Sequence, residues 1–223
     1  MELMEAIDHR RSVRKYKDDA VEEDKRTLLD TFAKELSDEG DIDIKIVYDD
    51  PEGFASFLAR YGSFKNVRNF IILSGNSEDP ELGEKCGYFG EKLVLTAETL
   101  GLSTCWVGLT FNKAHMKKLI GEDKKVVCVV ALGYGTEEEI ASRKPHKSKP
   151  MEKVVVSKGT MPEWFGKGVE AALKAPSAMN QQKFRFGVKS GEPAAVTAKG
   201  PYTDVDLGIA KCHFEIATGR KVY

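Results

Sequence analysis

Two short stretches hold the residues best suited to chemistry. Residues 175–182 read Ala-Pro-Ser-Ala-Met-Asn-Gln-Gln, between a helical pattern and an apolar run at Phe184, Phe186 and Val188. Pro176 lacks an N–H and clashes with a preceding turn, so the helix before it stops near Ala175. Ser177, Asn180 and Gln182 then offer a hydroxyl and two amides within six residues. That density suits a small planar ligand with carbonyls and ring nitrogens, and it also occurs in ordinary helix-to-strand loops. The second stretch is Arg10-Arg11-Ser12-Val13-Arg14. Arg10, Ser12 and Arg14 alternate, so an extended backbone places all three on one side. Two guanidinium forks around a hydroxyl form a phosphate clamp, because each fork donates in a planar, bidentate geometry. A solvated basic turn has the same composition.

Other chemistries find less support. The histidines, His9, His115, His146 and His213, are scattered. No Ser/His/Asp arrangement or metal-ligand spacing appears, so neither a metal nor a dedicated general acid is expected. His213, on a helical pattern, reads as structural. The four cysteines, Cys86, Cys105, Cys128 and Cys212, include no C-x-x-C pair, which fits small core residues in a reduced, cytoplasmic setting. The 223 residues are 41% hydrophobic and 31% charged, with a net charge of −1. That is enough apolar content for one large domain or two small ones, and no global charge points to nucleic acid. No apolar run approaches the ~18 residues that span a bilayer. The acidic start, Met1-Glu2-Leu3-Met4-Glu5, is unlike a signal peptide.

The elements that must position the two stretches follow from periodicity. Helices are expected near residues 3–7, 24–36, 51–60, 83–100, 113–119, 162–174 and 206–217. Strands are expected at 42–48, 70–73, 126–132 and 184–188. Gly101 stands just past the last periodic residue of its helix, a C-cap position. Residues 137–150 form a charged segment, 145–156 a linker, and 191–202 a turn-rich connection. The halves echo each other: Gly90 and Gly101 bracket one helix, Gly208 and Gly219 another, both eleven apart. The first half lacks a Pro-Ser-x-x-Asn-x-Gln run and the second lacks Arg-x-Ser-x-Arg. A duplication whose halves have become complementary accounts for both.

Four motifs together resemble the nitroreductase family of flavoenzymes: residues 10–14, residues 175–182, Gly101-Leu102-Ser103-Thr104-Cys105-Trp106-Val107-Gly108, and Ala131-Leu132-Gly133-Tyr134. The resemblance covers most of the chain. It implies an α+β, nitroreductase-like three-layer sandwich, with a central, mostly antiparallel sheet and helices on both faces. The usual member is a homodimer whose FMN site draws on both subunits. Here both contributions lie in one chain, which resembles the fused branch of the family. That implies two related halves, residues 1–150 with the clamp and 151–223 with the flavin loop. It also implies one FMN site per chain and a pseudo-dimer able to act as a monomer.

Carried over residue by residue, the resemblance assigns Arg10 and Ser12 to the FMN phosphate and ribityl chain, with Arg11 beside them. Lys147 and Lys149 match a late basic pair that faces the phosphate; the second is usually Arg, so Lys149 keeps the charge and loses the fork. Arg14 falls near the N1/O2 edge of the isoalloxazine, where a cation stabilises reduced flavin. Val107 and Gly108 match the loop whose N–H groups approach flavin N5. Arg14 and Gly108 are therefore the expected catalytic positions. Pro176, Ser177, Ala178, Asn180 and Gln182 would close the site from the second half. Lys183-Phe184 stands where the family usually has Pro followed by an aromatic, which changes one edge of the pocket. Tyr61, Phe64, Tyr88, Phe89 and Trp164 are candidates to line the acceptor pocket.

The implied activity is an FMN-dependent NAD(P)H oxidoreductase. It would work by ping-pong hydride transfer through flavin N5 to a nitroaromatic, a quinone or a related small-molecule acceptor. Two alternatives stay open: a non-catalytic FMN-binding or storage protein, and a phosphate-binding α/β module that grips another nucleotide with residues 10–14.

Overall fold

The computed structural model describes residues 1–55, 62–156 and 161–223. A four-stranded, wholly antiparallel sheet in the order β1-β2-β4-β3 forms the centre. Its strands are β1 (Asp43–Val47), β2 (Asn69–Gly75), β3 (Ser103–Val107) and β4 (Lys125–Gly133). Ile46 pairs with Ile71, Leu73 with Cys128, and Val107 with Val129. Every residue of β2 is buried, as a strand covered on both faces must be.

The pleat sorts these strands into two cores. Ile71, Leu73, Cys128, Val130 and Leu132 face one side, with Leu29, Leu36, Leu93 and Val94 of two long helices. Those helices are α2 (Glu23–Gly40) and α3 (Leu82–Thr99). Phe70, Ile72, Val129 and Ala131 face the other side, with Val13, Tyr16, Phe111 and Met116. Met116 belongs to α4 (Lys113–Ile120), and a 3₁₀ turn, Pro51–Phe54, precedes β2. Of the helix expected over 51–60, the described part is the 3₁₀ turn at 51–54; residues 56–60 lie outside the described residues.

Past β4 come a short helix, α5 (Glu137–Ala141), and a 3₁₀ turn, Met151–Lys153, so the charged segment and the linker each hold a little structure. Then follow α6 (Glu163–Ala172), a 3₁₀ turn at Ala178–Asn180, a hairpin of β5 (Phe184–Lys189) and β6 (Glu192–Thr197), and α7 (Thr203–Thr218). Strand β6 corrects the turn-rich reading of residues 191–202. Ser190 and Gly191 both adopt positive φ (54° and 85°) at the hairpin tip, and the chain returns as a strand despite Pro193. Among the described residues, and apart from the 3₁₀ turns, the order helix, strand, strand, helix occurs twice: α2-β1-β2-α3 and α6-β5-β6-α7.

The seam between α3 and α7 is backbone against backbone. A Cβ on Gly87 would lie 2.1 Å from the Val205 carbonyl oxygen, and one on Gly208 would lie 2.0 Å from the Glu84 carbonyl oxygen. Only glycine permits that approach. Leu73, Leu93 and Val130 share one continuous core with Phe165, Val169 and Phe214 of the second half. Within it the Phe186 and Phe214 rings stack 5.2 Å apart. All four cysteines are free and buried.

Candidate functional site

Helix α1 (Leu3–His9) ends at Arg10, whose N–H still donates to Ala6 as the cap of that helix. The chain then runs beside β3, with Ser12 bridging Thr104 and the Val13 N–H donating to the Thr104 carbonyl. Tyr16 locks this run, its hydroxyl donating to the Val13 carbonyl at 2.7 Å. Ser12 and Arg14 are thereby set at the mouth of a cleft of about 510 Å³. Val107 and Gly108 from the end of β3 also line it, and so do Pro176, Ser177 and Ala178. Segments more than 60 residues apart in sequence meet there. Trp106, Leu109, Lys183, Tyr202 and Asp206 are among the other residues of its wall.

Arg10 does not share the face of Ser12 and Arg14, because it still belongs to the helix end. The residue is 3% exposed, and its Nε lies 3.8 Å from Glu91. Nε and Nη1 are buried without a hydrogen-bond partner. A buried guanidinium with unmet donors is costly in isolation, and an anionic group would satisfy it. Glu91 is committed elsewhere: it accepts from Trp106 Nε1 at 2.7 Å and pairs with His213 at 2.9 Å. His213 is fully buried, and its other ring nitrogen faces the Ala171 carbonyl. It thus ties α6, α7 and α3 together.

Arg11 points away from the cleft. It donates to the carbonyls of Asp8, Arg10 and Lys144 and to His146 Nε2. Burial and the charges of Arg11 and Arg10 push the His146 pKa down to about 4.

The loop after α6 is held by its own polar side chains. Ser177 Oγ accepts the Gln182 N–H, and Asn180 donates to the Lys147 carbonyl. Gln182, 1% exposed, accepts the Lys149 N–H and donates to the Leu173 carbonyl, both at 2.7 Å. Lys149 Nζ donates back to the Gln182 carbonyl. The amides of Asn180 and Gln182 therefore stitch residues 147–149 to the loop, and neither side chain lines the cleft. Met179, Asn180 and Gln182 all have positive φ (52°, 54° and 42°). Left-handed backbone outside glycine costs of order 1–3 kcal/mol per residue and persists only where surroundings enforce it. Lys147 is exposed at this edge.

Two wall residues were not legible in the sequence. Asp206, in the first turn of α7, is buried and accepts the Ala178 N–H with both carboxylate oxygens. Burial pushes its pKa up to about 6, against the opposing pull of that hydrogen bond and of Lys183. Tyr202, at φ 60°, donates its hydroxyl to the Gly108 carbonyl and lays its ring on Gly108, where a Cβ would lie 2.6 Å away. The aromatic candidates fall elsewhere. Phe64 packs on Phe54, Tyr88 on Phe89, and Trp164 on Phe165 and Phe214. Tyr61 lies outside the described residues.

A helix-covered antiparallel sheet, with a cleft where both halves of the chain meet, defines a nitroreductase-type α+β protein. The chain belongs to the nitroreductase family: the family model described as "Putative TM nitroreductase" matches residues 2–218. A Thermotoga maritima structure described as a "putative nitroreductase" is 22% identical, with a TM-score of 0.67 over 97% of this chain and 83% of that one. An FMN-dependent nitroreductase from Clostridium difficile is 21% identical, with a TM-score of 0.52 over 64% of this chain and 90% of that one. A "putative NADH dehydrogenase/NAD(P)H nitroreductase" from Bacteroides thetaiotaomicron is also 21% identical, with a TM-score of 0.54 over 68% and 95% of the two chains. At these identities the structural likeness speaks to the fold. No curated protein matches the chain. Among the described residues, no helix is long and apolar enough to cross a membrane, and no group of three His, Cys, Asp or Glu side chains is arranged to hold a metal ion.

Proposed function

We propose that this chain is an FMN-dependent NAD(P)H oxidoreductase that reduces a small nitroaromatic, a quinone or a related acceptor. The observation that carries the reading is the cleft itself, where Ser12 and Arg14 meet Val107 and Gly108 and the 176–178 loop. Family membership supports the oxidoreductase class. Arg10 is buried beside Glu91, off the face of Ser12 and Arg14, so its two unmet donors would meet an anionic group only if residues 9–11 shift when that group binds.

On this reading Arg10 and Ser12 would hold the FMN phosphate and ribityl chain, with Lys147 and Lys149 adding positive charge. Arg11 would act through its backbone, because its side chain is taken up by three carbonyls and His146. Arg14 would stand by the ring edge that becomes negative on reduction. Bound FMN supplies reversible two-electron chemistry, accepting hydride from a nicotinamide and passing it to the acceptor. The protein's part is to bind, to orient and to tune charge. Tyr202 holds the Gly108 carbonyl by its hydroxyl, which fixes the 108–109 peptide plane directly after the N–H groups of residues 107–108. Asp206, one turn further along α7, fixes Ala178 by accepting its N–H. Pro176, Ser177 and Ala178 would close over the cofactor, with Asn180 and Gln182 holding their loop in shape. The repeated element order and the shared core are consistent with a fused pseudo-dimer, functional as a monomer. The four free cysteines fit a reducing, cytoplasmic setting.

An anaerobic titration tests the reading. The purified chain should be yellow with flavin absorbance. NADH or NADPH should bleach it without oxygen, and a nitroaromatic or quinone should restore the colour. A chain that cannot retain FMN sinks the proposal. A yellow chain that neither nicotinamide bleaches is a flavin-binding protein without turnover.

A further inference from the structure

A second cavity, of about 340 Å³, lies on the far side of the wall formed by Gly108 and Tyr202, which line both cavities. Its charge is unusual for a chain of net charge −1: Lys113, Lys117, Lys124 and Lys125 all line it. Lys113 and Lys117 are four apart on α4 and so share a helix face. Lys124 and Lys125 come from the turn into β4, and two elements thereby converge on one concavity. Lys124 pairs with Asp43 at 2.5 Å and Lys117 with the exposed Glu122 at 3.3 Å. Among the described residues, neither Lys113 nor Lys125 has an ion-pair partner. Lys113, Lys117 and Lys125 are exposed, and like charges gathered around one concavity repel one another and raise the local potential that attracts an anion. The apolar floor, Phe111, Val126 and Val127, supplies a surface for a ring or ribose.

We propose that this lysine-lined cavity holds the phosphate-bearing end of the reductant, so that the chain prefers NADPH over NADH. The inference rests on the function proposed above and names the co-substrate of that same cleft. A nicotinamide dinucleotide has its reactive ring at one end, a diphosphate in the middle and an adenosine at the other end, where NADPH carries its 2′-phosphate. Adjacent cavities divided by one tyrosine ring and one glycine suit such a two-ended molecule. The added 2′-phosphate of NADPH carries the negative charge that the two unpaired ammonium groups lack. A flat acidic protein would need a broad surface patch; the concave shape favours a small phosphate ester.

The test is calorimetric titration of the chain, as purified, with adenosine 2′,5′-bisphosphate and with 5′-AMP at low ionic strength. The bisphosphate should bind at least tenfold more tightly, and 0.5 M salt should erase the difference. In the double variant K113Q/K125Q the two nucleotides should bind alike. The ratio of kcat/KM for NADPH to that for NADH should fall about tenfold in that variant, with FMN content and melting temperature retained. Equal binding of the two nucleotides by the parent chain, or an unchanged ratio in the variant, overturns the inference. So does salt-sensitive binding of an acidic redox protein with no binding of the bisphosphate. A colourless chain would defeat the function proposed above, yet the nucleotide titration on the same sample would still decide this inference.

Discussion

Both carboxylate oxygens of Asp206 accept the backbone N–H of Ala178, at 2.9 and 3.1 Å, joining the first turn of α7 to the loop that walls the cleft. Burial still dominates, and the group titrates at about 6 rather than at 3.8. A carboxyl whose folded pKa lies above its unfolded value favours the folded state only while protonated. Its contribution therefore falls as pH rises from about 4 to about 6 and is flat above that. The gap corresponds to ~3 kcal/mol. Asp206→Asn keeps an acceptor for Ala178 and cannot ionise. We expect it to match the parent at pH 4 and to be more stable by up to ~3 kcal/mol at pH 7. Chemical denaturation at the two pH values checks this, and equal stability at pH 7 would refute it.

His146 has the opposite sign. It is held neutral, with a pKa near 4, by burial and by the charges of Arg11 and Arg10. The unfolded chain takes up this proton at about 6.5, so stability is lost as pH falls from about 6.5 to about 4. His146→Gln should flatten that loss while leaving stability at pH 8 little changed. The two groups oppose each other over nearly the same window. The parent should thus show a shallow profile that steepens in opposite directions in the two variants.

Two glycines separate packing from wall-building. Gly208→Ala drives a Cβ into the Glu84 carbonyl, which cannot move without shifting α3 against α7. A loss of roughly 3 kcal/mol or more is expected, read as a drop in melting temperature. Gly108→Ala meets the far end of the Tyr202 ring instead, and a side chain can swing aside. That variant should melt within a few degrees of the parent, while nicotinamide-driven reduction slows because the Gly108 carbonyl is no longer held by Tyr202.

Arg10 and Arg14 should fail in different ways. Arg10→Met removes a buried guanidinium with unmet donors, so the flavin-free chain should be no less stable, and FMN affinity should fall by roughly 10- to 100-fold. Arg14→Ala should slow flavin reduction by roughly tenfold while loosening FMN much less, because its charge acts on the reduced ring. Fluorescence titration with FMN and anaerobic stopped-flow reduction distinguish the two. Unchanged reduction in Arg14→Ala would remove the role assigned to it.

Local rules made much of the fold legible. Gly101 and Gly219 stand where the helices end, and both adopt positive φ. The alternation in β2 and β4 sends Ile71 and Val130 to one core and Phe70 and Val129 to the other. Strand β6 was not legible, because Gly191, Pro193 and two alanines give no β signal by themselves and gain one only beside β5. At the site, residue type told less than position. Asn180 and Gln182 carry groups suited to a ligand, yet they bond the backbone of residues 147–149, and nothing in their spacing distinguishes those partners. Asp206 looks like any acidic residue in a first helical turn. Only the approach of Ala178, 28 residues earlier in the chain, gives it a task.

The close seam between α3 and α7 also has a consequence for how this protein can change. Where two identical subunits meet, any substitution is made twice, so an improvement on one side must be tolerated on the other. Here Gly87 and Gly208 sit on helices of different sequence, each against its own carbonyl. One side of the joint can be altered while its counterpart is kept, and the enclosure it supports is free to become lopsided in shape and charge.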